Sequence, residues 1–369
     1  MSHRNAVVLA LSITILFQIP FPATAPWPSP SPSSPPSSQI RAIFAFGDST
    51  VDPGNNNHIA TLLRADHLPY GRALPDHVAS GRFSDGKLTT DYISSTLGLY
   101  DLLPAYLDSS LTDIDLLGGV SFGSAGTGLD EVTANLSNVL DLESQLNYFE
   151  EAMVRIKKMV GERKGEEMVK KGLFVISVGT NDLLYNLYML PTRMLQFSVS
   201  GYHDFLLQKL RSVVQRLYKK GARKMVVVGV PPIGCLPLQV TMGSLIPSDH
   251  MMQRLCNKKQ NNDCQAYNKK LKALTFKLQA SLVGAKVVYL DVYGPIMDMV
   301  ANPSKYGFEE TSKGCCGSGL MEMGPMCNFL SPICYDASKF IFWDAVHLTQ
   351  AAYSILANQS AATLLPHFS

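Results

Sequence analysis

Five short apolar runs recur along the chain, separated by stretches with helical periodicity. The first is Ile43-Phe44-Ala45-Phe46, a weaker second spans 116–122, and the third is Leu173-Phe174-Val175-Ile176-Ser177-Val178. Met225-Val226-Val227-Val228-Gly229-Val230 and Lys286-Val287-Val288-Tyr289-Leu290-Asp291 complete the set. Within each run the apolar residues follow one another instead of alternating with polar ones, the mark of strands buried on both faces. Between the runs, Leu142, Leu146, Phe149, Met153, Ile156 and Val160 repeat at three- and four-residue spacing. So do Leu206, Leu210, Val213 and Leu217, and Gly221 stops that pattern as a helix cap would. Residues 271–282 and 347–364 also predict helices. Alternation of this kind predicts an α/β domain, a mostly parallel sheet with helices on both faces.

The N-terminal pattern is different. His3 and Arg4 form a short polar, basic start, Ala6 to Phe17 is predominantly apolar, and Ala23-Thr24-Ala25 offers a small-x-small cleavage site. Gln18, Pro20 and Pro22 break the apolar stretch, which is too short to span a bilayer. Residues 1–25 are therefore expected to be a signal peptide, and 26–39, rich in Pro and Ser, an extended linker without core-forming residues. The folded domain is expected over 40–369, in a secreted, extracellular protein of the apoplast or cell wall.

Composition narrows the class. At 46% apolar and 17% charged residues, the chain has ordinary globular make-up, and its net charge of +2 argues against nucleic acid or an anionic membrane as partner. Seven cysteines all lie beyond residue 234, where a secreted context permits disulfides. Structural bridges are expected among Cys256, Cys264, Cys315, Cys316, Cys327 and Cys334, with Cys256–Cys264 the local one. Cys235 is expected to be the thiol left over, as a small buried apolar residue. Asn135-Leu136-Ser137 and Asn358-Gln359-Ser360 are glycosylation acceptors, so Asn135 and Asn358 are candidate sites.

Four stretches place reactive residue types just after predicted strands or near the chain end. Gly47-Asp48-Ser49 closes the first run, and Ser121-Phe122-Gly123-Ser124-Ala125-Gly126-Thr127-Gly128 is a run of small residues that admits close backbone approach. Gly179-Thr180-Asn181-Asp182 follows the third strand, and Trp343-Asp344-Ala345-Val346-His347 lies near the end. Each alone reads as a turn, a helix cap or a surface loop. A serine hydroxyl needs a base to become a nucleophile, and histidine titrates in the right range to serve. Asp344 stands three residues before His347, a spacing that lets one turn bring its carboxylate to the imidazole Nδ1.

In this order, the four stretches resemble the GDSL subgroup of the SGNH hydrolases, in particular plant GDSL esterases/lipases of the extracellular lipase branch. The resemblance covers residues 41–366 and adds Gly54-Asn55-Asn56-Asn57, Gly81-Arg82-Phe83-Ser84-Asp85-Gly86, Pro231-Pro232-Ile233-Gly234-Cys235 and Cys315-Cys316-Gly317. It implies a three-layer α/β/α, flavodoxin-like domain on a five-stranded sheet. It further implies Ser49, Asp344 and His347 as catalytic triad, with the oxyanion held by the N–H groups of Ser49 and Gly126 and the side-chain amide of Asn181. The family usually has Asn-Phe-Ala-Ser where this chain has Ser121-Phe122-Gly123-Ser124, which leaves Gly123 as the alternative donor. It usually has proline after the histidine, where Leu348 stands.

The expected activity is hydrolysis of carboxylic esters through an acyl-enzyme on Ser49, with no metal or organic cofactor. The expected partner is a small-molecule or lipid ester, or an acetylated cell-wall polysaccharide, and the protein is expected to be a monomer. Residues 183–195 and 236–252, rich in Leu, Tyr and Met, are expected to line an acyl site or else to pack in the core. An acyltransferase with the same triad is the alternative. A non-catalytic binding protein on the same scaffold is disfavoured by the presence of all three triad residues.

Overall fold

The computed structural model describes residues 40–190, 193–245 and 253–368. The expected signal peptide, linker, Met251, Met252 and His250 lie outside them. The five runs become β1 (Ile43–Gly47), β2 (Gly119–Ser121), β3 (Leu173–Ser177), β4 (Lys224–Val228) and β5 (Lys286–Leu290). All pair in parallel, in the spatial order β2-β1-β3-β4-β5. The second run is shorter than its apolar stretch suggests, because residues Asp115–Gly118 form a 3-10 turn.

The helices are α1 (Thr89–Thr96), α2 (Glu131–Ser137), α3 (Leu142–Val160), α4 (Glu162–Lys171) and α5 (Thr180–Leu183). They continue as α6 (Val199–Lys219), α7 (Pro237–Ser244), α8 (Lys258–Ser281), α9 (Tyr293–Ala301) and α10 (Gln350–Phe368). A small second sheet pairs β6 (Glu310–Gly314) with β7 (Phe340–Phe342). Among the described residues, no helix is long and apolar enough to cross a membrane.

The strand register assigns each side chain to a face. Phe44, Phe46, Phe174, Ile176, Met225 and Val227 share one side. Phe149 of α3 packs there edge-on, its ring centroid 5.4 Å from Phe44 and 5.7 Å from Phe46. Ala45, Gly47, Val175, Ser177, Val226 and Val228 share the opposite side, toward α1 and α10. One face thus carries large rings and the other small side chains.

The strand order reverses at β1, which has β2 on one side and β3 on the other. Open parallel sheets form their ligand crevice at the carboxyl ends of the strands at such a point. Gly47 makes the close approach there possible. It adopts φ +134, and a Cβ on it would lie 1.7 Å from the Ser177 carbonyl oxygen.

The cysteines pair differently from expectation. The bridges are Cys235–Cys256, Cys315–Cys334 and Cys316–Cys327, and the buried Cys264 is the free thiol. The segment between Cys256 and Cys264 is not a loop: Asn257 caps α8, its side chain accepting the Gln260 N–H. Cys264 therefore sits about 10 Å along a helix from that cap, too far for a disulfide to Cys256. Cys256 is instead drawn to the turn after β4, where the Asn257 N–H donates to the Gly234 carbonyl at 2.7 Å.

Candidate active site

Ser49 follows β1 directly, and His347 stands in the turn between β7 and α10. The His347 Nε2 lies 2.8 Å from the Ser49 Oγ. The His347 Nδ1 lies 2.9 and 2.8 Å from the two carboxylate oxygens of Asp344. That carboxylate also accepts the backbone N–H groups of Val346 and His347, at 2.8 and 2.7 Å, so the turn is closed by its own acid. Burial alone would raise the Asp344 pKa. The facing imidazole and these donors outweigh it and hold the carboxyl below the ordinary value.

Asn181 opens α5 after β3, and its amide donates to the Thr127 carbonyl at 3.0 Å. This bond uses one amide hydrogen and leaves the other toward the crevice that Asn181 lines together with Ser49 and His347. Gly126 adopts φ +93, and its N–H has no acceptor among the described residues. The Gly123 N–H, the alternative donor, is engaged with the Ser121 hydroxyl at 3.1 Å. Of the two, Gly126 is the one whose N–H is unengaged among the described residues.

A second set of polar side chains joins these loops. Asp52 accepts the N–H groups of Gly54, Asn55 and, at 2.9 Å, Ala125, tying the Ser49 loop to the small-residue run. Asn55 and Asn56 reach the same run through the carbonyls of Gly123 and Ala125. Asp182 accepts the N–H groups of Leu129 and Asp130, at 2.7 and 3.0 Å, and fixes its far end. From α3, the Gln145 side chain bonds both the N–H and the carbonyl of Gly47. Burial pushes the carboxyls of Asp48 and Asp52 up to about 6 and that of Asp182 to about 7, against the donors that lower them.

Tyr70 and Phe83 hold the acid and the base, and sequence reasoning gave neither of them a role. The Tyr70 hydroxyl donates to Asp344 Oδ2 at 2.8 Å and accepts the Gly324 N–H at 2.7 Å. No local signal marks it, since its partner lies 274 positions away. The Phe83 ring lies 4.8 Å from the His347 ring. The neighbouring Arg82 is fully buried in a two-pronged ion pair with Asp91, both bonds 2.8 Å. Asp85 accepts the Gln350 N–H that starts α10. This block therefore sets Phe83 against the His347 ring and ties Asp85 to the start of α10, while its guanidinium is taken up by Asp91. Tyr70, Phe83 and Trp343 pack with Cys315, Cys316 and Cys327 in a small apolar cluster behind the acid.

The crevice deepens from Ser49 into an apolar cavity of about 100 Å3 between the sheet and helices α1 and α10. Of the two segments expected to line an acyl site, 236–252 contributes Leu236 and the described part of 183–195 contributes nothing. Leu183, Leu184 and Leu187 are instead core residues, while Leu195 is exposed. Asn135 and Asn358 are exposed on α2 and α10. His203 is buried in α6, and His58, His77 and His367 are exposed. Among the described residues, no group of three His, Cys, Asp or Glu side chains is placed to hold a metal ion.

Comparison with known proteins gives a consistent family. The model of the GDSL-like lipase/acylhydrolases matches residues 43–360. A GDSL esterase/lipase of Arabidopsis thaliana is 50% identical over 331 residues, 90% of this chain and 91% of that protein. Another from the same plant is 45% identical over 319 residues, 86% of each. Among solved structures, a catalytic mutant of an acetylxylan esterase from Geobacillus stearothermophilus aligns with a TM-score of 0.40 and 14% identity. It covers 88% of this chain and 94% of that one. A likeness at that level adds nothing to the assignment.

Proposed function

Because the chain belongs to the family of GDSL-like lipases/acylhydrolases and is a carboxylic ester hydrolase, we propose that Ser49 is its nucleophile, His347 its base and Asp344 the acid that orients the base. The observation that carries this reading is the unbroken chain of hydrogen bonds from Ser49 Oγ through the imidazole to the Asp344 carboxylate. His347 takes the hydroxyl proton as Ser49 attacks the ester carbonyl, and Asp344 fixes the tautomer and stabilises the imidazolium. The N–H groups of Ser49 and Gly126 and the free amide hydrogen of Asn181 receive the developing negative oxygen. The imidazolium then protonates the departing alcohol. Water, activated by the same imidazole, clears the acyl group from Ser49.

The protein acts outside the cell in this reading. The leader-like residues 1–25 and three disulfides support export through an oxidising compartment. Asn135 and Asn358 would be accessible to glycosylation on that route.

The test uses an activity-based fluorophosphonate and a soluble ester. Ser49→Ala should lose both labelling and hydrolysis while keeping its unfolding midpoint. Asp344→Asn should keep the fold and lose activity by about 10⁴-fold, because the imidazole then favours the wrong tautomer. Labelling that persists in Ser49→Ala would refute the assignment.

A further inference from the structure

Resting on that reading, we infer that the acyl part of the substrate is an aliphatic chain longer than acetyl, received inside the domain in the cavity between the sheet and helices α1 and α10.

The cavity is continuous with the reacting groups. Ser49, Asn181 and His347 line it together with Leu364, near the end of α10. An acyl carbon bonded to Ser49 Oγ therefore has a path inward. Asp48, Thr50 and Ser177 form a polar collar beside Ser49. They satisfy one another, with Thr50 Oγ1 2.7 Å from both the Asp48 carboxylate and the Ser177 hydroxyl. Below that collar the walls come from Val175, Val226 and Val228 of the sheet, Ile93 of α1, and Leu356 and Leu364 of α10. Thr89, Thr90 and Tyr353 add polar atoms to a lining that is otherwise apolar and suits methylene groups.

The space arises from residue size. The register places Val175 beside Val226 and aligns Ser177 and Val228 on the same face. Valine is stiff and short, and the facing helices do not close the gap it leaves. The resulting cavity of about 100 Å3 is larger than a single methyl group needs.

The test compares p-nitrophenyl acetate, octanoate and dodecanoate. For the unmodified protein, kcat/KM for octanoate should exceed that for acetate by at least about tenfold, whereas equal or reversed values would overturn the inference. Val228 is only partly buried and borders the cavity, so Val228→Phe should place a ring across it. The octanoate-to-acetate ratio should then fall at least about tenfold, and a ratio within twofold of the parent would overturn the inference. Should that variant fail to fold, Leu364→Ala enlarges the cavity instead: the dodecanoate-to-octanoate ratio should rise about fivefold, and an unchanged ratio counts against it. Binding of decanoic acid to Ser49→Ala, followed by calorimetry, does not depend on turnover. It should weaken at least about tenfold on adding Val228→Phe, and equal affinities would refute the chamber. Absence of Ser49-dependent hydrolysis on any ester, with that binding intact, would fell the catalytic reading and spare the chamber.

Discussion

The two faces of the central sheet are built on opposite principles. Phe44, Phe46 and Phe174 on one face meet Phe122 and Phe149 in a set of rings with centroids 5.1 to 6.4 Å apart, stacked or edge-on. Such contacts add to the area they bury and leave no room for a guest. The other face, a strand's thickness away, carries Ala45, Val175, Ser177, Val226 and Val228 and keeps a cavity beside the nucleophile. Packing that would stabilise the second face has been left out where the site needs space. The filled face holds the frame, and in the proposed reading the open face receives the substrate.

The comparison makes its strongest claim at Phe149, whose ring meets those of Phe44, Phe46, Phe122 and Phe174. Phe149→Ala should cost about 3–5 kcal/mol in denaturant unfolding. A loss below about 1 kcal/mol would show that the face is not packed as described.

A second effect sharpens the picture of the filled side, where one side chain carries a polar cost. His203 in α6 is buried against Tyr267 of α8, and neither ring nitrogen has a partner. Burial, reinforced by the nearby Lys270, pushes its pKa down to about 4 from 6.5, against a smaller opposing effect of Asp204. The folded state therefore refuses a proton that the unfolded chain accepts near pH 6.5. Its stability contribution is intact above that pH and is lost as pH falls toward about 4. His203→Phe should remove this loss. The stability gap between variant and parent should widen by up to about 3 kcal/mol between pH 7 and pH 4, and a gap independent of pH would contradict the burial argument.

The smallest effect is the most direct test of asymmetry. Val226 and Val227 are neighbours on β4 that point to opposite faces. Val227→Ile adds a methylene to a filled layer and should cost about 1–3 kcal/mol. Val226→Ile adds it to the cavity and should leave stability within about 0.5 kcal/mol or raise it, at the expense of long-chain turnover. Equal costs at the two positions would erase the distinction drawn here.

These differences also explain which features the sequence disclosed. Parallel strands buried on both faces show as continuous apolar runs, so four strands were legible almost to the residue. The meeting of Ser49, Asn181, Asp344 and His347 in one crevice was expected from local motifs that stand in a fixed order, and the structure brings the four together. The cavity was not. Its walls are ordinary strand valines and apolar residues of α1 and α10 from distant parts of the chain, and no local pattern records their meeting. The Leu- and Met-rich segment 183–195 was expected to line the site or to pack in the core, and its described part divides between core and surface. Cysteine pairing failed for a related reason: whether Cys256 can reach Cys264 depends on where a helix begins. Tyr70 could not be read at all, because its meaning comes from a carboxylate at the other end of the chain.

That separation bears on how the molecule comes into being. Ser49 and His347 are 298 positions apart, and α10, which walls the cavity, is the last element of the described chain. During synthesis from the N-terminus, Ser49, its flanking strand and the small-residue run emerge early, and the base proposed for Ser49 is not yet made. Contacts of such long range form late, because a large loop must close before they return any free energy. A chain interrupted anywhere before residue 347 carries a serine that nothing deprotonates. Hydrolytic activity is thereby a property of the finished polypeptide alone, and a nascent or prematurely terminated product is chemically silent toward the esters it meets on the way.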